Sequence, residues 1–186
     1  MQQNKVSHYF LNPFPIFDFH EDYLLREQEL SDASNFLFYY NDPVVSQYIL
    51  AEIPTTLTDA ENEIRYCRSL FYKQTGLYWS LARKPSDQMI GAIGYYLKSQ
   101  YEAEICFDLH KKHWGLGIMS AALTPAIQFG RELMGLRCIS AITLAANLAS
   151  CRLLKKHGFH HEKTLYQHRY FNGQLYNVER YTLNFE

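Results

Sequence analysis

Between residues 78 and 109 the apolar positions keep the two-residue period of a pleated strand, broken at Lys84-Pro85-Ser86-Asp87 and Lys98-Ser99-Gln100. Three consecutive antiparallel strands are predicted, over 78–82, 89–97 and 101–109. The period then becomes helical. Apolar positions including Met119, Ala122 and Leu123 run from Leu116 to Met134, with Gly135 closing the run and Pro125 inside it removing one backbone hydrogen bond. Residues 138–144 form an apolar strand that a helix joins to 101–109, so the two are predicted to lie side by side and parallel. A helix over 148–157 capped by Gly158, a strand over 159–165, and a hairpin of 169–171 with 174–176 turning at Asn172-Gly173 complete the pattern.

Upstream, the mixed apolar and charged residues of 23–28 suit a strand near a sheet edge. Ser31-Asp32 offers an N-cap to a short aromatic helix over 36–40, and Pro43 suits the first position of another. Thr58-Asp59-Ala60-Glu61 reads as a capping box before Ala60, Ile64, Cys67 and Phe71 at helical spacing, with Gly76 ending the element.

At 186 residues, 47% hydrophobic and 20% charged, the composition fits one globular α/β domain. A net charge of -1 and a pI of about 6.7 argue against a nucleic-acid partner, which would need many phosphate contacts. No apolar run reaches the roughly 18 to 20 residues that span a bilayer, and the start of the chain lacks a signal-peptide core, so no membrane partner and a cytoplasmic location are expected. Cys67, Cys106, Cys138 and Cys151 are scattered without a Cys-x-x-Cys, which favours reduced thiols. His110 and His113 sit in a glycine loop and His157 and His161 straddle Gly158, so no metal site is expected.

The candidate chemistry lies after the third strand, where 110–114 lead through Gly115-Leu116-Gly117 into a helix. Unpaired amides and the positive end of the helix dipole converge there and suit an anion, with phosphate the natural guest. Glycine lets phosphate oxygens approach those amides and permits positive φ. The dinucleotide fingerprint is not met, because Ser120 stands where its third glycine belongs.

Taken in order, Leu24-Leu25-Arg26, Ser31-Asp32-Ala33, Asp42-Pro43-Val44, Ile90-Gly91-Ala92-Ile93-Gly94, Ala103-Glu104-Ile105, Trp114-Gly115-Leu116-Gly117 and Asn147-Leu148-Ala149-Ser150 through Arg152, Leu154, Lys156 and Gly158-Phe159 resemble the GNAT-superfamily N-acetyltransferases, above all the ribosomal-protein RimJ/RimL-like group. Lys112-His113-Trp114-Gly115-Leu116-Gly117 meets the family's phosphate signature of a basic residue, two residues, Gly, one residue, Gly. The resemblance implies a single GNAT-like domain, with residues 1–22 an extension and 23–183 the core. It further implies a mixed sheet of about six to seven strands, splayed at the cofactor site and flanked by about four to five helices.

By the same resemblance the cofactor is acetyl-CoA. Its pyrophosphate would lie on Gly115, Leu116, Gly117 and Ile118 with Lys112 and Trp114 nearby, and its pantetheine arm along Phe107, Asp108 and Leu109 and against Asn147, with Ser150 and Lys156 on the following helix. Glu104 is the candidate acceptor of the amine's proton, since a carboxylate in an apolar strand must be partnered, solvated or functional. A backbone N–H near Phe107 or Leu109 would polarise the carbonyl. The tyrosine that protonates the thiolate in many members is replaced by Leu154, so Ser150 inherits the role of acid, and Ala121 stands where many relatives carry Glu. Phe36, Phe38, Tyr39, Tyr40, Tyr48 and Tyr66 suggest an aromatic acceptor pocket, and the early helices show no acidic cluster suited to a polyamine. The expected reaction is acetylation of a protein or peptide N-terminal α-amine by direct attack in a ternary complex. The alternatives are a small-molecule amine such as a polyamine or antibiotic, or a non-catalytic acyl-CoA-binding module, with the chain a monomer or homodimer.

Overall fold

Both faces of the central strands are apolar, and this dictates the layering. In β3 (Gly76–Arg83), β4 (Gln88–Leu97) and β5 (Glu102–Leu109), one face packs Trp79, Ile93, Tyr95 and Ile105 with α4 (Ile118–Glu132) through Ala122, Leu123 and Phe129. The other packs Ala92 and Tyr78 with α1 (Ala33–Tyr40) and α3 (Leu57–Tyr72) through Phe36, Tyr39, Ala60 and Ile64. Trp79 anchors the first cluster, its ring edge-on to Phe129 at 5.4 Å and its indole N–H donating to Pro15 O at 2.9 Å.

The structure is a computed structural model that describes Phe10 and residues 13–171 and 174–186. The remaining described elements are β1 (Phe17–Asp18), β2 (Tyr23–Glu27), α2 (Pro43–Ser46), β6 (Cys138–Leu144), α5 (Leu148–Lys156), β7 (His160–Phe171) and β8 (Gln174–Asn184). All eight strands join one open sheet in the order β1-β2-β3-β4-β5-β6-β8-β7. The β3–β4–β5 meander is antiparallel and β5–β6 is parallel, as the spacing predicts.

Several local expectations are corrected. There are eight strands rather than six or seven, because Phe17–Asp18 in the expected extension pairs with β2, while 159–165 and the first arm of the hairpin belong to one strand, β7. The turn residues Asn172 and Gly173 lie outside the described residues, although Phe171 is paired with Gln174 across them. The capping box is Thr56 with Asp59, not Thr58 with Glu61: Asp59 N donates to Thr56 Oγ1 at 3.1 Å and Thr56 N to Asp59 Oδ2 at 2.9 Å. An aspartate at the third position closes the box, and the helix starts a turn-fraction earlier. Gly76 does not end that helix; Gln74 takes the left-handed φ of 58°, and Gly76 opens β3, where a Cβ would sit 2.1 Å from Tyr95 O. Asp42 does cap α2, accepting from Val44 N at 3.0 Å with Pro43 following.

Candidate active site

The parallel pairing of β5 and β6 stops almost as soon as it starts. Glu102, Ala103 and Glu104 lie opposite Cys138, Ile139 and Ser140, and no pairing follows from Ile105 onward. Across the other edge of β5, His110 N donates to Ile90 O at 2.8 Å, in register with Asp108 opposite Ala92. Backbone groups alternate sides along a strand, so the even-numbered residues of β5 bond to β4 and the N–H and C=O of Phe107 point into the opening toward β6. The Phe107 and Leu109 amides thus lie on the edge of β5 that faces β6.

The loop beyond β5 is held by its own side chains. The Trp114 indole N–H donates to Leu109 O at 2.7 Å, and Lys112 N donates to His110 Nδ1 at 3.0 Å. Lys111 forms an ion pair with Asp42 at the start of α2. Burial, and then nearby charges that include Lys112, hold His110 and His113 below the ordinary histidine range. Lys112 itself is exposed, so it is the loop's cation facing solvent. Gly115 and Gly117 have φ of 75° and 76°, and a Cβ on either would meet nothing within 4 Å. No side chain caps α4 at Gly117, so its first amides take no side-chain cap bond there.

Behind this helix start, Ser120 Oγ lies 3.0 Å from His157 Nε2 and ties α4 to the end of α5. Asn147 begins α5, its Oδ1 accepting from Ser150 N at 3.1 Å. Lys156, at the other end of α5, is exposed.

A cleft of about 470 Å³ connects the strand opening to the α1–α3 face. Phe107, Thr143, Asn147, Ser150 and Leu154 line one end, and Gln28, Phe36, Tyr40, Glu63, Tyr78 and Tyr96 the other. Glu104, Cys106 and Asp108 share one face of β5 and lie along its floor.

The family profile for the Acetyltransferase (GNAT) domain matches residues 23–160. The chain belongs to the GNAT acetyltransferase family. It is 29% identical over 172 residues, 91% of this chain and 97% of the relative, to the uncharacterized N-acetyltransferase YoaA of Bacillus subtilis. It is 30% identical over 161 residues, 86% of this chain and 90% of the relative, to the uncharacterized N-acetyltransferase p20 of Bacillus licheniformis. Among solved structures it resembles RimL, the ribosomal L7/L12 α-N-protein acetyltransferase, in complex with coenzyme A, with a TM-score of 0.80 at 18% identity, covering 91% of this chain and 98% of that one.

In this GNAT acetyltransferase the pocket differs from the expected one in composition. Phe36, Tyr40 and Tyr48 line the cleft, whereas Phe38 and Tyr66 are exposed and Tyr39 is wholly buried. Tyr78 and Tyr96 take their place, supplied by β3 and β4 rather than by a helix. Strand parity with Glu104 could have found Tyr96, which lies directly opposite it. Glu63 of α3 also lines the cleft, so the pocket is more acidic than the early helices suggested.

The expected acid–base candidates are placed unequally. Ser150 lines the cleft beside Asn147 and is part-buried. The Glu104 carboxylate is buried and its Oε2 is 3.0 Å from Lys98 Nζ, a partner the sequence reading did not identify. Burial pushes the neighbouring Cys106 thiol up to about 12, with Glu104's charge adding to the rise, so Cys106 stays protonated. Asp108 receives Tyr39 OH on Oδ1 at 2.6 Å and Tyr40 OH on Oδ2 at 3.1 Å. Among the described residues no group of three or more His, Cys, Asp or Glu side chains could hold a metal ion, and no helix is long and apolar enough to cross a membrane.

Proposed function

We propose that this acetyltransferase transfers the acetyl group of acetyl-CoA to the α-amine of a protein or peptide, by direct attack in a ternary complex. The observation that carries the reading is the opening between β5 and β6 beside an uncapped helix start flanked by Gly115 and Gly117. Acetyl-CoA supplies the activated acetyl thioester; the chain's own residues bind it, position the amine and handle the protons. The residues fit such a group. The Gly115 to Ile118 amides and Lys112 suit its pyrophosphate, Phe107 offers an unpaired strand edge to its arm, and Asn147 and Ser150 line the far wall, with Lys156 exposed at the other end of α5. Trp114 holds the loop in shape, and Ser150 is the hydroxyl placed to give the departing sulfur a proton.

An alkyl or α-ammonium must lose a proton before it can attack, and one of the carboxylates on the cleft face of β5 receives it. A protein acceptor is supported by the likeness to RimL, an α-N-protein acetyltransferase of ribosomal L7/L12, and by a cleft open toward α1 and α3. The additional carboxylate of Glu63 favours a second reading, a small polycationic amine. Free-thiol release with acetyl-CoA and a panel of peptides and small amines tests both. A higher kcat/KM for peptides is expected; a higher value for small amines replaces the first reading with the second, and turnover of no amine refutes both.

A further inference from the structure

Asp108 is half-buried on the floor of the cleft, four residues from Glu104 on the same face of β5. Two hydroxyls hold it from α1, Tyr39 on one oxygen and Tyr40 on the other. A carboxylate offers about four lone-pair sites, so two donors leave room for a proton. We propose that Asp108, rather than Glu104, is the catalytic base that removes the proton from the acceptor ammonium, with Tyr40 as its positioning residue. This rests on the acetyltransferase reading above and names the group through which its proton leaves.

Charge pairing distinguishes the two carboxylates. Glu104 already has an ion-pair partner, Lys98 at 3.0 Å, whereas Asp108 has none among the described residues. The ionisable groups that interact with Asp108 are Tyr39 and Tyr40 of α1, Cys67 of α3 and Cys106 of β5, none of them a cation; Glu63, Tyr78 and the Glu104-paired Lys98 line the same cleft. Arg26, the buried cation near α1, is consumed by Asp32 and Asp87. Burial accordingly pushes the Asp108 carboxyl up to about 6, against the opposing pull of the two tyrosine donors. That places it where it is ionised at neutral pH yet basic enough to accept a proton.

The proton balance closes. The ammonium N–H bond breaks and the Asp108 O–H bond forms; the freed lone pair makes the C–N bond as the C–S bond breaks. The second proton lost by nitrogen goes to the sulfur, and Asp108 returns its own to solvent through the cleft. The net change is one amide, one free thiol and one released proton.

The test is kcat against pH at saturating acceptor, using the peptide turned over fastest by the wild type in the panel above. An acid limb near pH 6 is expected in the wild type. Asp108→Asn keeps hydrogen-bonding capacity but not basicity, and is expected to lower kcat on the order of 100-fold and abolish the limb. Tyr40→Phe removes a donor that favours the ionised form, so its limb moves to higher pH, a shift that loss of packing alone would not produce. Glu104→Gln is expected to slow turnover without moving the limb. An Asp108→Asn enzyme with the wild-type limb and kcat overturns the assignment; if that variant fails to fold, a Tyr40→Phe limb that stays in place overturns it equally. Absence of wild-type turnover with every amine refutes the proposed function, and the Asp108 assignment with it.

Discussion

The Arg26 guanidinium grips the Asp32 carboxylate through two hydrogen bonds of 2.8 Å each, and both side chains are buried. Ser80 Oγ at 2.7 Å and Glu29 N at 2.9 Å supply further donors to the same carboxylate, and Asp87 takes the remaining face of Arg26 at 2.7 Å. Removing one partner leaves an uncompensated buried charge. Asp32→Ala is expected to lower folding stability by about 3–5 kcal/mol in urea unfolding.

Gly117 holds a φ of 76° at the head of α4 with open space where a Cβ would go. Gly117→Ala is expected to cost stability by about 1–2 kcal/mol through backbone strain alone. Gly117→Glu adds a negative charge at the helix's positive end, and calorimetry is expected to show coenzyme A affinity reduced by about tenfold or more, ~1.4 kcal/mol. Unchanged affinity would move the phosphate site elsewhere.

Asn147 and Ser150 are linked by one bond, so their substitutions separate structure from chemistry. Asn147→Ala loses the cap of α5, with an expected cost of about 1 kcal/mol in thermal or urea unfolding. Ser150→Ala leaves that bond intact, since only the Ser150 backbone is used, and is expected to lower kcat by about 100-fold with coenzyme A affinity retained.

Asp108 carries a consequence for stability opposite to that of most acids. Its carboxyl is raised from 3.8 to about 6 on folding. Between those values the unfolded chain gives up this proton while the folded chain keeps it, so the group's contribution to stability falls as pH rises through 6. Asp108→Asn is therefore expected to hold or raise the Tm at pH 8 relative to the wild type, and to flatten the decline between pH 4 and 6. A lower Tm across that whole range would make Asp108 a structural anchor.

Strand order, the parallel pair and the glycine loop were legible because each depends on neighbours in sequence: alternation for β3 to β5, a helical connection for β5 and β6, and two glycines before an apolar run. A Ser-Asp before a helix looks like a cap, but Asp32 makes no cap bond to α1: its carboxylate closes a local turn with Glu29 N three residues back, and the fold brings Arg26 and Ser80 onto it. The same holds for the pairing of Asp108 with Tyr39 and Tyr40, which spans 69 and 68 positions. Aromatic content in a helix says nothing about which ring faces inward, so Phe38 and Tyr66 were placed in the pocket and Tyr78 and Tyr96 were not.

Because β5 and β6 touch at so few positions, the strands on either side of that seam rely on little backbone bonding to stay together. A ligand bridging the seam would act as the missing rung of a ladder. Starved of it, the β6-β8-β7 flank is the part from which amide hydrogen exchange should first escape, so metabolic supply of the acyl donor would govern how long the folded molecule endures as well as how fast it works.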